Sequence, residues 1–90
     1  MTDLRADHDD AATDAILGEA AARLRARDYP AAEALLRGHS DARAIALLGD
    51  ACFLQGRHDE AAAAYREALT HVPGAHDWEA RAERAWADHE

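Results

Sequence analysis

The chain has 90 residues, 49% of them hydrophobic, with only two prolines and five glycines, a composition that favours one small packed domain over a disordered segment. Alanine supplies 25 of those hydrophobic residues, so few large side chains remain to enclose the water-free pocket that catalysis needs. A formal charge of −8 sets the chain against phosphate backbones and anionic lipid, which excludes nucleic acid and membrane surfaces as expected partners.

The segment Met1 to about Asp10 is acidic and aperiodic, and reads as a flexible leader over residues 1–10 whose last aspartates favour the positive end of a following helix. It has neither the basic patch nor the apolar run of a signal peptide, and no later stretch is long enough to cross a bilayer, so a cytoplasmic location is expected. From about Ala11 to Ala26 the period is helical, with Ile16, Leu17, Ala20, Ala21 and Leu24 on one stripe. Arg27-Asp28-Tyr29-Pro30 turns the chain, and Pro30 suits the first position of a short second helix that buries Ala32, Leu35 and Leu36 and stops at Gly38.

Ser40 or Asp41 caps a third helix, whose stripe is Ile45, Leu48, Gly49, Cys52 and Phe53 and whose end is Gly56. Asp59 is the expected cap of a fourth helix carrying Ala61, Tyr65, Ala68, Leu69 and Val72 on one face, closed by Pro73-Gly74. Asp77 is the expected cap of a fifth, with Trp78, Ala82, Ala85 and Trp86 on its apolar face and Arg84 one turn from Asp88. No segment alternates like a strand.

Two helix pairs in succession invite an internal alignment. At an offset of 29, Ile16, Ala20 and Leu24 fall on Ile45, Gly49 and Phe53 without a gap. The same offset lays Arg27-Asp28-Tyr29-Pro30 on Gly56-Arg57-His58-Asp59, and Leu36 on Tyr65. Residues 42–75 resemble a tetratricopeptide repeat: Leu48-Gly49 falls in the Leu-Gly pair, Ala61 and Tyr65 in the Ala-x3-aromatic pair, Ala68 in the next small slot and Pro73 at the closing proline. Ile45 and Cys52 depart from the usual Trp and Tyr. Residues 11–41 resemble a degenerate copy, with Leu17-Gly18 out of register by two and a short second helix, and residues 76–90 stand where such arrays carry a capping helix. The resemblance implies an all-α fold of about five helices, stacked as tetratricopeptide-like hairpins.

It also implies a protein-protein interaction module, in which the first helix of each pair lines a concave groove for a peptide or partner helix. Carried onto this chain, that face presents Asp14, Leu17, Ala21, Leu24 and Arg25 on the first helix and Arg43, Ala46, Asp50, Phe53 and Leu54 on the third. The partner-binding expectation therefore falls on Asp14, Leu17, Arg25, Arg43, Asp50 and Leu54, with Arg25 and Arg43 as the cations offered to an acidic group. The clamp by which one subfamily grips the carboxylates of heat-shock chaperones uses Lys and Asn, and neither residue type occurs here. The alternative is a structural subunit or secretion-type chaperone that hides unfinished apolar faces in a homodimer or on a dedicated partner, because fewer than three repeats seldom stand alone. Trp78 and Trp86 serve either reading, as a lid on the second hairpin or as interface anchors.

Other chemistries have weaker footing. With one serine and one cysteine, Ser40 beside His39 in a turn and Cys52 on a core stripe, no nucleophile is set against a base, so no enzyme is expected. Six histidines are many for the length. None pairs at i, i+4 within a helix, and His71 and His76 straddle Pro73-Gly74, so neither metal nor any other cofactor is expected and a metal-binding accessory role ranks behind both protein-binding readings. All ten cations being arginine, with alanine in excess, points to a GC-rich bacterial source on composition alone.

Overall fold

A computed structural model describes residues 3–89 of the chain, and the side chains of residues 12–88. Five helices follow one another: α1 Asp3–Arg25, α2 Tyr29–Leu36, α3 Ala42–Leu54, α4 His58–His71 and α5 His76–His89, with no strand among the described residues. Each packs on the next, and α1 also touches α3, which is the connectivity of stacked helical hairpins. α1 begins at Asp3, so the acidic stretch expected to be an aperiodic leader is helical from there on. The side chain of His8 lies outside the described residues.

The two hairpins close through the same turn. In the first, the amide of Arg27 donates to the carbonyl of Leu24 at 3.0 Å and that of Asp28 to Arg23 at 2.8 Å. In the second, 29 residues on, Gly56 donates to Phe53 and Arg57 to Cys52, each at 3.0 Å. This pairing of amides with the last helical carbonyls requires a left-handed residue just past the helix end. Gly56 supplies it at φ 83°, but in the first hairpin the position is Arg27 at φ 64°. An L-residue there carries a strain of about 1–2 kcal/mol, partly offset by about 0.4–1 kcal/mol that glycine would lose in unfolded-chain entropy. Arg27→Gly is therefore expected to raise stability by about 0.5–1 kcal/mol in urea unfolding. No gain would mean that the turn is held by something other than its backbone.

The same closure overturns two expected caps. With Gly56 in the left-handed position only Arg57 separates it from α4, so the helix starts at His58 with Arg57 as its N-cap, and Asp59 lies inside the first turn. α5 likewise starts at His76, with Asp77 in its first turn. Both aspartates still face the positive helix end, where their charge is favourable without a capping hydrogen bond. Asp41 does cap α3, its carboxylate accepting from the Arg43 amide at 2.8 Å. Pro30 occupies the second residue of α2, not the first.

Alanine lets the helices approach closely. One core cluster joins Ile45, Cys52, Tyr65 and four alanines of α3 and α4 to Ala82 and Ala85 of α5, with Phe53 and Trp78 packed against it. A second joins Ala20, Leu36 and Ala44, with Leu17, Leu35, Leu47 and Leu48 at its margin. Of the two tryptophans, Trp78 helps close the hairpin while Trp86 stays 41% exposed, with the Arg66 guanidinium 5.1 Å above its ring. Phe53, placed by its spacing on the apolar stripe of α3, lies tilted against His58 at 4.7 Å and remains half-buried.

A buried carboxylate joins the hairpins. Glu33 on α2 is only 8% exposed. Its Oε2 accepts from Arg57 at 2.5 Å and from Gln55 at 2.7 Å, and its Oε1 from Arg37 at 2.9 Å. Arg57 and Gln55 belong to the α3–α4 turn, so this acid ties the second helix of one hairpin to the bend of the next. These bonds, the one from Arg57 above all, hold the Glu33 carboxyl below its ordinary range although burial opposes them.

Candidate interaction groove

The first helix of each pair and α5 share one face of the stack, where an open cleft of 400 Å³ lies between them. α1 lines it with Leu17, Gly18 and Ala21, α3 with Arg43, Ala46, Leu47 and Asp50, and α5 with Trp78 and Arg81. Small residues keep the floor low. Leu17, Leu47 and Trp78 supply its partly exposed apolar surface.

Of the six residues expected to bind a partner, Leu17, Arg43 and Asp50 line the cleft, and Asp14 adjoins it through Arg43. Arg25 and Leu54 are the last residues of α1 and α3 and are not part of the lining. Both are exposed, Leu54 by 52%. The alignment that selected them continues the helical spacing to the end of each helix, whereas the cleft runs across the earlier turns. Trp78, Arg81, Gly18 and Leu47 were not anticipated. Trp78 and Arg81 stand at i and i+3, so the spacing that put Trp78 on the apolar face also put Arg81 beside it.

The cations of the groove are already engaged. Arg43 donates from Nε and Nη2 to the two carboxylate oxygens of Asp41, at 3.1 and 3.2 Å, and from Nη1 to Asp14 at 2.9 Å. Hydrogen bonding from the Arg43 side chain holds the Asp41 carboxyl below its usual range. Arg81 Nη1 lies 3.3 and 3.2 Å from the two oxygens of Asp50. The Tyr65 hydroxyl donates to Asp50 as well, and burial, with that bond second, pushes the Tyr65 phenol far above its ordinary range. Asp50 of α3 thus joins α4 and α5. The expectation that Arg25 and Arg43 stand ready for an acidic group is corrected accordingly: Arg43 spends three of its donor positions on neighbouring carboxylates, and Arg25 lies beyond the cleft.

Residues weighed for other chemistry sit elsewhere. Cys52 is buried, and that burial raises its thiol pKa, the opposite of an activated nucleophile. His58 lies against Phe53, His71 is exposed, and His76 meets Glu79 at 3.0 Å in solvent. Among the described residues no group of three or more His, Cys, Asp or Glu side chains is placed to hold a metal, and no helix is long and apolar enough to cross a membrane.

Residues 42–75, which are α3, α4 and the loops beside them, match the family model of the tetratricopeptide repeat. That stretch is therefore a tetratricopeptide repeat, a helical motif of the kind that mediates protein-protein interaction and is typically not catalytic. Comparison with curated proteins and with solved structures gave no match.

Proposed function

We propose that the chain is a small, non-enzymatic interaction module of the cytoplasm that receives a peptide or partner helix in the groove between α1, α3 and α5. The observation that carries this reading is the convergence of three helices on one cleft, with Leu17, Leu47 and Trp78 accessible in it and two arginines fixed at its edge by carboxylates. Fixed side chains lose little entropy when a ligand arrives, and a half-buried tryptophan is an efficient anchor. Asp14, Arg43 and Asp50 then act mainly to hold the rim in shape, while Arg25 and Leu54 extend the contact for a longer ligand.

A photo-cross-linking side chain tests it. Carried at Ala21 inside the groove, it is expected to capture a partner in extract of the producing cells, whereas the same group at the exposed Ala87 of α5 captures none. Arg43→Ala should reduce the Ala21 product severalfold. Equal capture from both positions would sink the reading. The subunit or chaperone alternative draws on the exposure of Leu54, Val72 and Trp86, but these lie on three separate elements, and exposed apolar residues taken singly are ordinary.

A further inference from the structure

The two hairpins differ in length. α2 has 8 residues and α4 has 14. Since an offset of 29 lays Tyr29 on His58 and Leu36 on Tyr65, the segment Arg66 to His71 of α4 has no counterpart in α2. The chain from Arg37 to Asp41 crosses to α3 instead. Two adjoining clefts of 390 and 270 Å³ open there, sharing Arg37, Leu48, Ala64 and Glu67. Their floor is apolar: Leu36, Ile45 and Cys52 are buried beneath, and Leu48 and Ala64 are half-buried above them. This is the place that further turns of α2 would take beside α4, so a helix brought from elsewhere would fill the position that the short α2 leaves open.

The walls of the slot differ in charge. On the α2 side Arg37 is neutralised by Glu33 at 2.9 Å. On the α4 side Glu60 and Glu67 stand seven residues apart on one face. Glu60 accepts from Arg57 at 3.1 Å, while the Glu67 carboxylate is exposed and has no partner among the described residues. The uncompensated Glu67 charge, on a chain of net charge −8, favours a cationic group on the visitor and steers its approach. We propose that this slot, separate from the groove between α1, α3 and α5, docks an amphipathic helix of a partner protein, apolar face on Leu48 and Ala64 and a Lys or Arg against Glu67. The assignment stands independently of the proposed groove function.

A synthetic amphipathic helix with leucines on one face and flanking lysines serves as probe, with its glutamate counterpart as control, and backbone amide shifts of the full chain as readout. The lysine peptide is expected to give saturable shifts at Leu48, Ala64 and Glu67, and the glutamate peptide none. Glu67→Lys should weaken the lysine peptide about tenfold, whereas Glu83→Lys, an equal charge change on the exposed face of α5, should leave it nearly unaltered. Equal weakening by both variants would assign the binding to diffuse charge and overturn the proposal. So would shifts confined to Leu17 and Leu47, which would place the peptide in the other groove, or the absence of any saturable shift. Self-association of the free chain through Leu48 and Ala64 would also overturn it, the occupant then being a second copy.

Discussion

Gly49→Ala is expected to destabilise the protein by up to about 2 kcal/mol, although alanine is the better helix former by about 1 kcal/mol. A methyl group at position 49 would stand 2.8 and 3.0 Å from two ring carbons of Tyr65. The ring has nowhere to retreat: Tyr65 is 2% exposed, and its hydroxyl is anchored on Asp50, which Arg81 holds in turn. Overpacking costs about 1–3 kcal/mol, and against an aromatic that cannot move the cost falls in the upper part of that range, above the propensity gain. The first hairpin carries the compensated version of the pair, with Ala20 at the position equivalent to Gly49 and Leu36 at that equivalent to Tyr65, both buried in one cluster. Tyr65→Leu alone loses the Asp50 bond and opens a void. Combined with Gly49→Ala it should cost less than the sum of the two single changes by about 1–2 kcal/mol. Gly18→Ala is the control, since nothing lies within 4 Å of a methyl there, and it should stabilise α1 by about 0.5–1 kcal/mol. Urea unfolding of the four variants decides the matter, and additivity of the pair at 49 and 65 would refute the contact.

The same pair explains how far the sequence can be read. Helix number, the turns at Arg27 and Gly56 and the cores of α3 and α4 follow from apolar spacing and from the placement of proline and glycine, because these are local signals. The start of α1 was not legible: its first residues have no apolar stripe, and an acidic run without one reads as a leader. The groove was half legible. Spacing selects a face of one helix, but which turns of that face meet a neighbour depends on where α5 lands, so Leu17, Arg43 and Asp50 were found while Trp78 was assigned to a lid or an interface and Arg81 to nothing. Glu33 was missed for a related reason. Its burial depends on Arg57 and Gln55 arriving from the next hairpin, although the offset of 29 did lay it on Ala62, a buried small residue, and an acid in an alanine slot is a signal that can be sought.

Removing that acid is expected to have the other large effect. Glu33→Gln keeps the shape of the side chain but removes the acceptor's charge from three hydrogen bonds, two of them ion pairs with arginine, and its single amide oxygen can accept at most two of the three. Breaking a buried pair typically costs about 3–5 kcal/mol, because a charge is left without compensation. Here Arg57 retains Glu60 at 3.1 Å and reaches solvent, so the loss should be nearer about 2 kcal/mol at neutral pH. The pH dependence has a definite sign. The Glu33 carboxyl titrates below its unfolded value of 4.5, so its stabilisation is complete above that value and disappears as the pH falls through the folded pKa. Asp41, depressed by its bonds to Arg43, contributes in the same direction. The unaltered protein should therefore lose stability steeply below pH 4.5, and the Glu33→Gln variant less steeply, with its curve approaching that of the parent in acid. Urea midpoints measured at several pH values compare the two. Parallel curves, offset by a constant amount down to the acid end, would mean that Glu33 is tied to the second hairpin by packing alone and not by its charge.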